Sequence, residues 1–196
     1  MVFSFGNAPD IQPIIMNDVV IERVESSKLL GVHIQDNLKW DIHIEYINKK
    51  ASSRLYFLRC LKRAGLSKSE LVTIYISSVR SICEYACPVW STCLTQELSD
   101  ALESIQQRAL KIICPGLSYD LACDDLNLKP LSDRRLEICR KLFYDMQKPD
   151  HRLHGLLPPP RTIKYGLRNV TQYPLPRCKT NRYKNSFVPF CLFYFQ

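Results

Sequence analysis

The spacing of apolar positions changes once along the chain, near Trp40. Before it they fall in short runs: Ile14-Ile15-Met16, the polar pair Asn17-Asp18, then Val19-Val20-Ile21. Two such runs around a two-residue turn of Asn and Asp predict a β-hairpin. A third run, Leu29-Leu30-Gly31-Val32-His33-Ile34, follows Ser26-Ser27 and is closed by Asp36-Asn37, which predicts a further strand. A glycine inside a strand marks a backbone that something approaches closely, so Gly31 stands out.

Beyond Trp40, Ile44, Ile47, Ala51, Leu55, Leu58 and Leu61 recur three and four apart and predict one long amphipathic helix ending near Gly65. Its polar side carries Lys49, Lys50, Arg54, Arg59, Lys62 and Arg63, a cationic stripe that suits a phosphate backbone or a plain solvated face. Ser67 and Glu70 have capping-box spacing and start a second helix through Leu71, Ile74, Tyr75, Ser78 and Ile82. Val72, Ile76, Val79 and Cys83 fall on another side of it, so this helix is expected to be central and buried on more than one face. Pro88 should end or kink it and leave Val89 and Trp90 packed at the turn. A third helix follows Thr95, with Leu98, Leu102, Ile105, Ala109 and Ile112. A short one is expected over residues 120–126, and a fourth long one from near Ser132, carrying Leu136, Cys139, Leu142, Phe143 and Met146 up to Pro149. Pro158-Pro159-Pro160, Pro174, Pro176 and Pro189 predict irregular chain from there to the end, and there is no internal repeat at a solenoid period.

The fold class expected is therefore mainly α with a small N-terminal antiparallel β element. Three regions follow: strands over 1–37, a helical bundle over 38–150, and an irregular basic extension containing Pro and Tyr over 151–196. At 196 residues, 46% hydrophobic and with 6 glycines, the chain has material for one packed core.

Charge sharpens the picture at one end. Lys and Arg total 27 against 19 acids, a formal charge of +8. From His151 onward there is no Asp or Glu, while Arg152, Arg161, Lys164, Arg168, Arg177, Lys179, Arg182 and Lys184 alternate with Tyr165, Tyr173 and Tyr183. Such a segment can contact phosphates and stack on bases, or can be a solvated basic tail.

The nine cysteines include no C-x-x-C pair; Cys83 and Cys87 share a helix face, but no histidine nearby completes a zinc set. They are read as reduced thiols packed as small hydrophobes. The start, MVFSFGNAPD, lacks the features of a signal peptide, so an intracellular protein, nuclear or cytoplasmic and not secreted, is expected and the sequon at Asn169 is idle. The terminal FVPFCLFYF is too short to cross a membrane and is expected to pack on the body.

No catalytic constellation is complete. Asp124-Asp125 superficially resembles a polymerase metal-binding pair, but its surroundings read as helix and Leu121 stands where an aromatic should precede it. His151 and His154, in a proline-rich loop, and His43, within the first helix, are assigned surface or capping duty. Phosphate-cradling glycine loops and nucleophile elbows are missing. Catalytic residues, a metal, a cofactor, a small-molecule substrate and a membrane partner are all expected to be lacking.

The order of several blocks carries a resemblance. Lys28-Leu29-Leu30-Gly31-Val32 with Leu38-Lys39-Trp40 and His43-Ile44, then Glu84-Tyr85-Ala86-Cys87-Pro88-Val89-Trp90, Ile105-Gln106-Gln107-Arg108-Ala109, Leu131 with Arg134-Arg135, and Lys179-Thr180 through Ser186-Phe187 resemble the C-terminal part of non-LTR (LINE-type) retrotransposon reverse transcriptases. The resemblance implies the last strands of a palm, a thumb-like helical bundle and a basic extension, with Leu30-Gly31 in the primer-grip region. It also implies that the catalytic palm, and with it the family's divalent-metal site, lies outside this chain, so that the chain alone is an inactive member of an RNA-directed DNA polymerase family. An RNA or RNA-DNA template-primer would be held by Lys28, Leu30, Gly31, Lys49, Lys50, Arg54, Lys62, Arg63, Lys179, Arg182 and Lys184, and the missing palm or a full-length element protein would be a partner.

The stretch 28–63 is also similar to a short N-terminal segment of the AlkB homologue eight proteins, read as an echo of the same element. That family's oxygenase and methyltransferase motifs do not occur in this chain. The alternative function is accordingly an inert or protein-interaction helical fragment without either activity.

Overall fold

The computed structural model describes residues 13–161 and 171–196. Of the basic segment, Lys164, Tyr165, Arg168 and the sequon at Asn169 lie outside the described residues.

Two antiparallel hairpins open the described chain: β1 (Ile15–Met16) with β2 (Val19–Val20), and β3 (Ser26–Leu29) with β4 (Val32–Gln35). The first hairpin is as expected, with Asn17 and Asp18 both at positive φ, the twist a two-residue hairpin turn needs. The apolar run at 29–34 is not one strand. It folds back at Leu30 (φ 46°) and Gly31 (φ 85°), so Gly31 serves a second two-residue turn and Leu29 pairs with Val32.

The helices follow the expected order: α1 (Asp41–Arg63), α2 (Lys68–Ile74), α3 (Ser81–Glu84), α4 (Cys87–Trp90), α5 (Gln96–Ile113), α6 (Tyr119–Leu126) and α7 (Leu131–Met146). Ser67 and Glu70 form the capping box of α2, and Thr95 caps α5. Between α2 and α3 the helix widens into a π-helical segment, Tyr75–Arg80. The reason lies in the spacing of the buried positions, Leu71, Tyr75, Val79 and Cys83, every fourth residue. On an ideal α-helix that spacing drifts by about 40° per step; a wider turn returns the stripe to the core. Pro88 does not kink this helix. The chain turns at Ala86 (φ 50°), and Pro88 opens α4, where a missing N–H costs nothing.

The core is formed by α1, the α2–α3 helix and α5, which bring Ile44, Ala51, Leu55, Leu58, Tyr75, Leu102 and Ile105 together at 0–1% exposure. At its centre Gln106 accepts a 2.6 Å hydrogen bond from the Tyr75 hydroxyl and donates to the Tyr119 hydroxyl (2.8 Å) and the Lys129 carbonyl (2.9 Å). A smaller cluster joins Cys139 and Phe143 of α7 to Tyr173, Cys191, Leu192 and Phe195.

The extension after α7 is less irregular than its prolines suggest. It ends in α8 (Asn181–Asn185) and α9 (Phe187–Tyr194), because Pro189 falls in the first turn of α9, where proline is tolerated. As expected, this apolar terminus packs on the body. Among the described residues no helix is long and apolar enough to cross a membrane.

Candidate nucleic-acid interface

Two of the cations singled out in the sequence meet where the second hairpin lies against α1. Lys28 of β3 donates a 3.2 Å hydrogen bond to the Tyr46 hydroxyl, its ammonium 4.5 Å from the ring centroid. Lys50 holds its ammonium 5.8 Å from the same centroid. Tyr46 and Lys50 are neighbours because residues four apart on a helix share a face; Lys28 joins them only through the docking of the hairpin. The Lys28 hydrogen bond first, and then the charges of both lysines, hold the Tyr46 hydroxyl below its ordinary pKa.

A groove of about 460 Å³ opens around this ring, lined by Lys28, Gly31, His43, Tyr46, Ile47, Lys50, Ser81, Ile82 and Tyr85. Tyr85 closes one wall by donating a 2.9 Å hydrogen bond to the Leu30 carbonyl. A Cβ added at Gly31 would sit 3.3 Å from the Tyr85 ring, so the close approach expected at this glycine is made by that tyrosine. Leu30 itself is 84% exposed at the tip of the turn.

His43 is not a surface or capping residue. It is 1% exposed, stacked edge-on against Trp90, and its Nδ1 accepts a 3.3 Å hydrogen bond from the His33 backbone N–H. Burial first, and the charge of His33 second, push its pKa down to about 4, so the ring is neutral near pH 7 and carries its proton on Nε2. That Nε2 is enclosed and has no hydrogen-bond partner, while the side chain lines the groove. His151 and His154 do serve as caps: His154 Nδ1 lies 2.9 Å from the Met146 carbonyl, and His151 Nδ1 accepts from the Leu153 N–H.

The remaining residues singled out in the sequence disperse. Lys49 pairs with Glu45 at 2.6 Å on the outer face of α1, while Arg54, four residues beyond Lys50 on its side of the helix, stacks over Phe57 at 6.0 Å outside the groove. Lys62 donates to the carbonyls of Ile112 and Ile113, closing the C-terminus of α5. Arg63 lies beside it in a shallow depression with Arg59. Arg182 donates a 2.6 Å bond to the Asn37 carbonyl, Lys184 stands 5.2 Å over the Phe193 ring, and Lys179 is exposed. Asp125 sits in helix α6, as its surroundings suggested, and pairs with Lys68. Tyr46 and Tyr85 carry the groove yet were not candidates. Tyr46 was detectable from its four-residue spacing to Lys50, whereas nothing local ties Tyr85 to a turn 55 residues away.

The family model that matches the chain is described as "Alkylated DNA repair protein alkB homolog 8, N-terminal" and covers residues 40–81, about a fifth of the sequence. The matched segment runs from Trp40 through α1 and α2 to Ser81, and so includes Tyr46 and Lys50 but neither Lys28 nor Tyr85. No curated protein and no solved structure matches.

These findings overturn the resemblance to retrotransposon reverse transcriptases. The matched model is not a reverse-transcriptase domain, and the similarity read over 28–63 as an echo is the one that is found, shifted to 40–81. The blocks that carried the resemblance have local structural duties. Gly31 makes a turn, Glu84 pairs with Arg80 and Arg134, and Gln106 bonds the Tyr75 and Tyr119 hydroxyls and the Lys129 carbonyl. Trp90, 0% exposed, donates its indole N–H to the Tyr85 carbonyl. A helical bundle needs such residues whatever its ancestry.

Proposed function

We propose that the chain is a non-catalytic binding module that holds nucleic acid by its phosphate backbone, with the groove between Lys28, Tyr46, Lys50 and Tyr85 as its centre. The carrying observation is the placement of two ammonium groups, distant in sequence, over one tyrosine at the rim of an open groove. Cations that flank aromatic rings in a groove can neutralise a strand while its bases stack. Arg54, exposed further along α1, extends the positive track, and the excess charge of +8 favours a polyanion. The matched family is that of a DNA repair protein by name, which agrees with a nucleic-acid partner.

The test is an anisotropy titration of a labelled single-stranded RNA. With phosphate contacts from Lys28, Lys50 and Arg54, affinity should fall roughly twentyfold between 50 and 200 mM salt. Absence of binding at 50 mM salt would refute the reading.

One observation favours a protein-interaction reading instead. The first hairpin exposes Ile15, Met16, Val19 and Val20, each at 59–66%, and among the described residues its strand edges pair with no further strand. Such an edge accepts another strand. On this reading the chain self-associates in sedimentation velocity and Val19→Lys abolishes the association; monomers for both forms would dismiss it.

A further inference from the structure

A second cavity, of about 160 Å³, lies between the 3-10 turn Ser91–Cys93, α5, α7 and α9 and shares no residue with the groove. It is lined by Ser91, Thr92, Ser99, Ser132, Arg135, Leu136, Cys139 and Phe190, and none of these is acidic. Arg135 is 3% exposed. Its Nη2 donates a 3.1 Å hydrogen bond to Ser99 Oγ, but its Nη1 is enclosed without a partner, as is the Thr92 hydroxyl. The carboxylate whose charge reaches the guanidinium is that of Glu103, and both its oxygens are committed, to the backbone N–H groups of Leu131 and Ser132 and to the Tyr119 hydroxyl. A buried guanidinium with no carboxylate in ion-pair contact among the described residues and an unused N–H, beside a cavity lined by hydroxyls, is an unfinished ion pair.

We propose that this cavity binds a tetrahedral oxoanion, a phosphate or sulfate group. Arg135 supplies the charge and the free Nη1 donor. Thr92 supplies a second donor, with Ser91, Ser99 and Ser132 around it. A planar carboxylate would use the guanidinium fork alone, whereas hydroxyls contributed by separate elements suit oxygens that project in several directions. The volume is below the roughly 300 Å³ at which sites for drug-sized ligands begin. It admits a free anion or the terminal phosphate of a larger molecule, but not a nucleoside.

The test is thermal unfolding of the full chain with inorganic phosphate, then sulfate, at constant ionic strength set by chloride. Saturable stabilisation is expected, with the midpoint raised by roughly 3–6 °C at ten times Kd. Thr92→Val, which keeps the side-chain shape, should weaken phosphate binding about tenfold, and Arg135→Met should abolish the response. A 5′-phosphorylated trinucleotide outperforming its 5′-hydroxyl counterpart assigns the site to a terminal phosphate; equal behaviour of the two, with inorganic phosphate still binding, assigns it to the free anion. No saturable response in the native chain, or the same response in Thr92→Val, overturns the proposal.

Discussion

The Tyr85 hydroxyl holds the carbonyl of Leu30 at 2.9 Å, tying the end of the central helix to the tip of the second hairpin. The contact has a backbone cost on the hairpin side, because Leu30 lies at φ 46° without being glycine and Gly31 lies at φ 85° under the tyrosine ring. Gly31→Ala should therefore lose about 1–3 kcal/mol of stability, read as a lower urea midpoint at unchanged slope. A change below about 0.5 kcal/mol would mean that the turn is not held in this geometry.

The Gln106 amide, at 0% exposure, joins Tyr75, Tyr119 and the Lys129 carbonyl. Gln106→Leu fills the space but leaves the buried Tyr75 hydroxyl without its acceptor, while the Tyr119 hydroxyl keeps Glu103, so a loss of about 2–3 kcal/mol is expected in equilibrium denaturation. Tyr75→Phe removes a donor from the same network and should cost less, about 1–2 kcal/mol.

His43 gives the fold a pH dependence of defined sign. Its pKa falls from 6.5 to about 4 on folding, so between those values the unfolded chain takes up a proton that the folded chain refuses. Stability from this group is complete above pH 6.5 and is lost as the pH falls through 4, on the order of 3 kcal/mol in all. Denaturation at pH 7.0 and 4.5 should show a smaller difference for His43→Gln than for the native chain; an equal difference would assign the acid sensitivity elsewhere.

Lys62 and Lys50 stand on the same helix and should behave oppositely. Lys62 closes the α5 C-terminus through the Ile112 and Ile113 carbonyls, so Lys62→Met should cost about 1 kcal/mol of stability and leave RNA affinity nearly unchanged. Lys50→Ala should leave stability within about 0.5 kcal/mol and weaken RNA binding. Thermal melts and titrations on the same samples separate the two.

Local signals in the sequence carried the element order well. The Asn17-Asp18 turn, the Ser67/Glu70 box and the Thr95 cap each mark a boundary that the structure keeps. What failed depends on packing between distant segments. On α7 the expected inward residue Leu136 is 37% exposed, while Arg135, polar by type, is 3% exposed because the stripe Leu131, Arg135, Cys139, Phe143 faces α4 and α9. The groove was half legible: its cations were named and Tyr46 stands four residues from Lys50, but the approach of Lys28 and of Tyr85 depends on the docking of a hairpin distant in sequence. Blocks such as the one from Glu84 to Trp90 invited a reading by ancestry, where turn, capping and packing demands explain the same residues.

The most direct test of the groove is the RNA affinity of the Lys28→Ala/Lys50→Ala double variant against the native chain at 50 mM salt, with Lys49→Ala/Lys62→Ala as a control of equal charge. The account predicts a loss of roughly tenfold or more for the first pair, together with a salt dependence shallower by about 1.4 in log–log slope, and little change in the control beyond net charge. Equal losses in the two variants would show that the groove around Tyr46 has no special part in binding and would contradict the account.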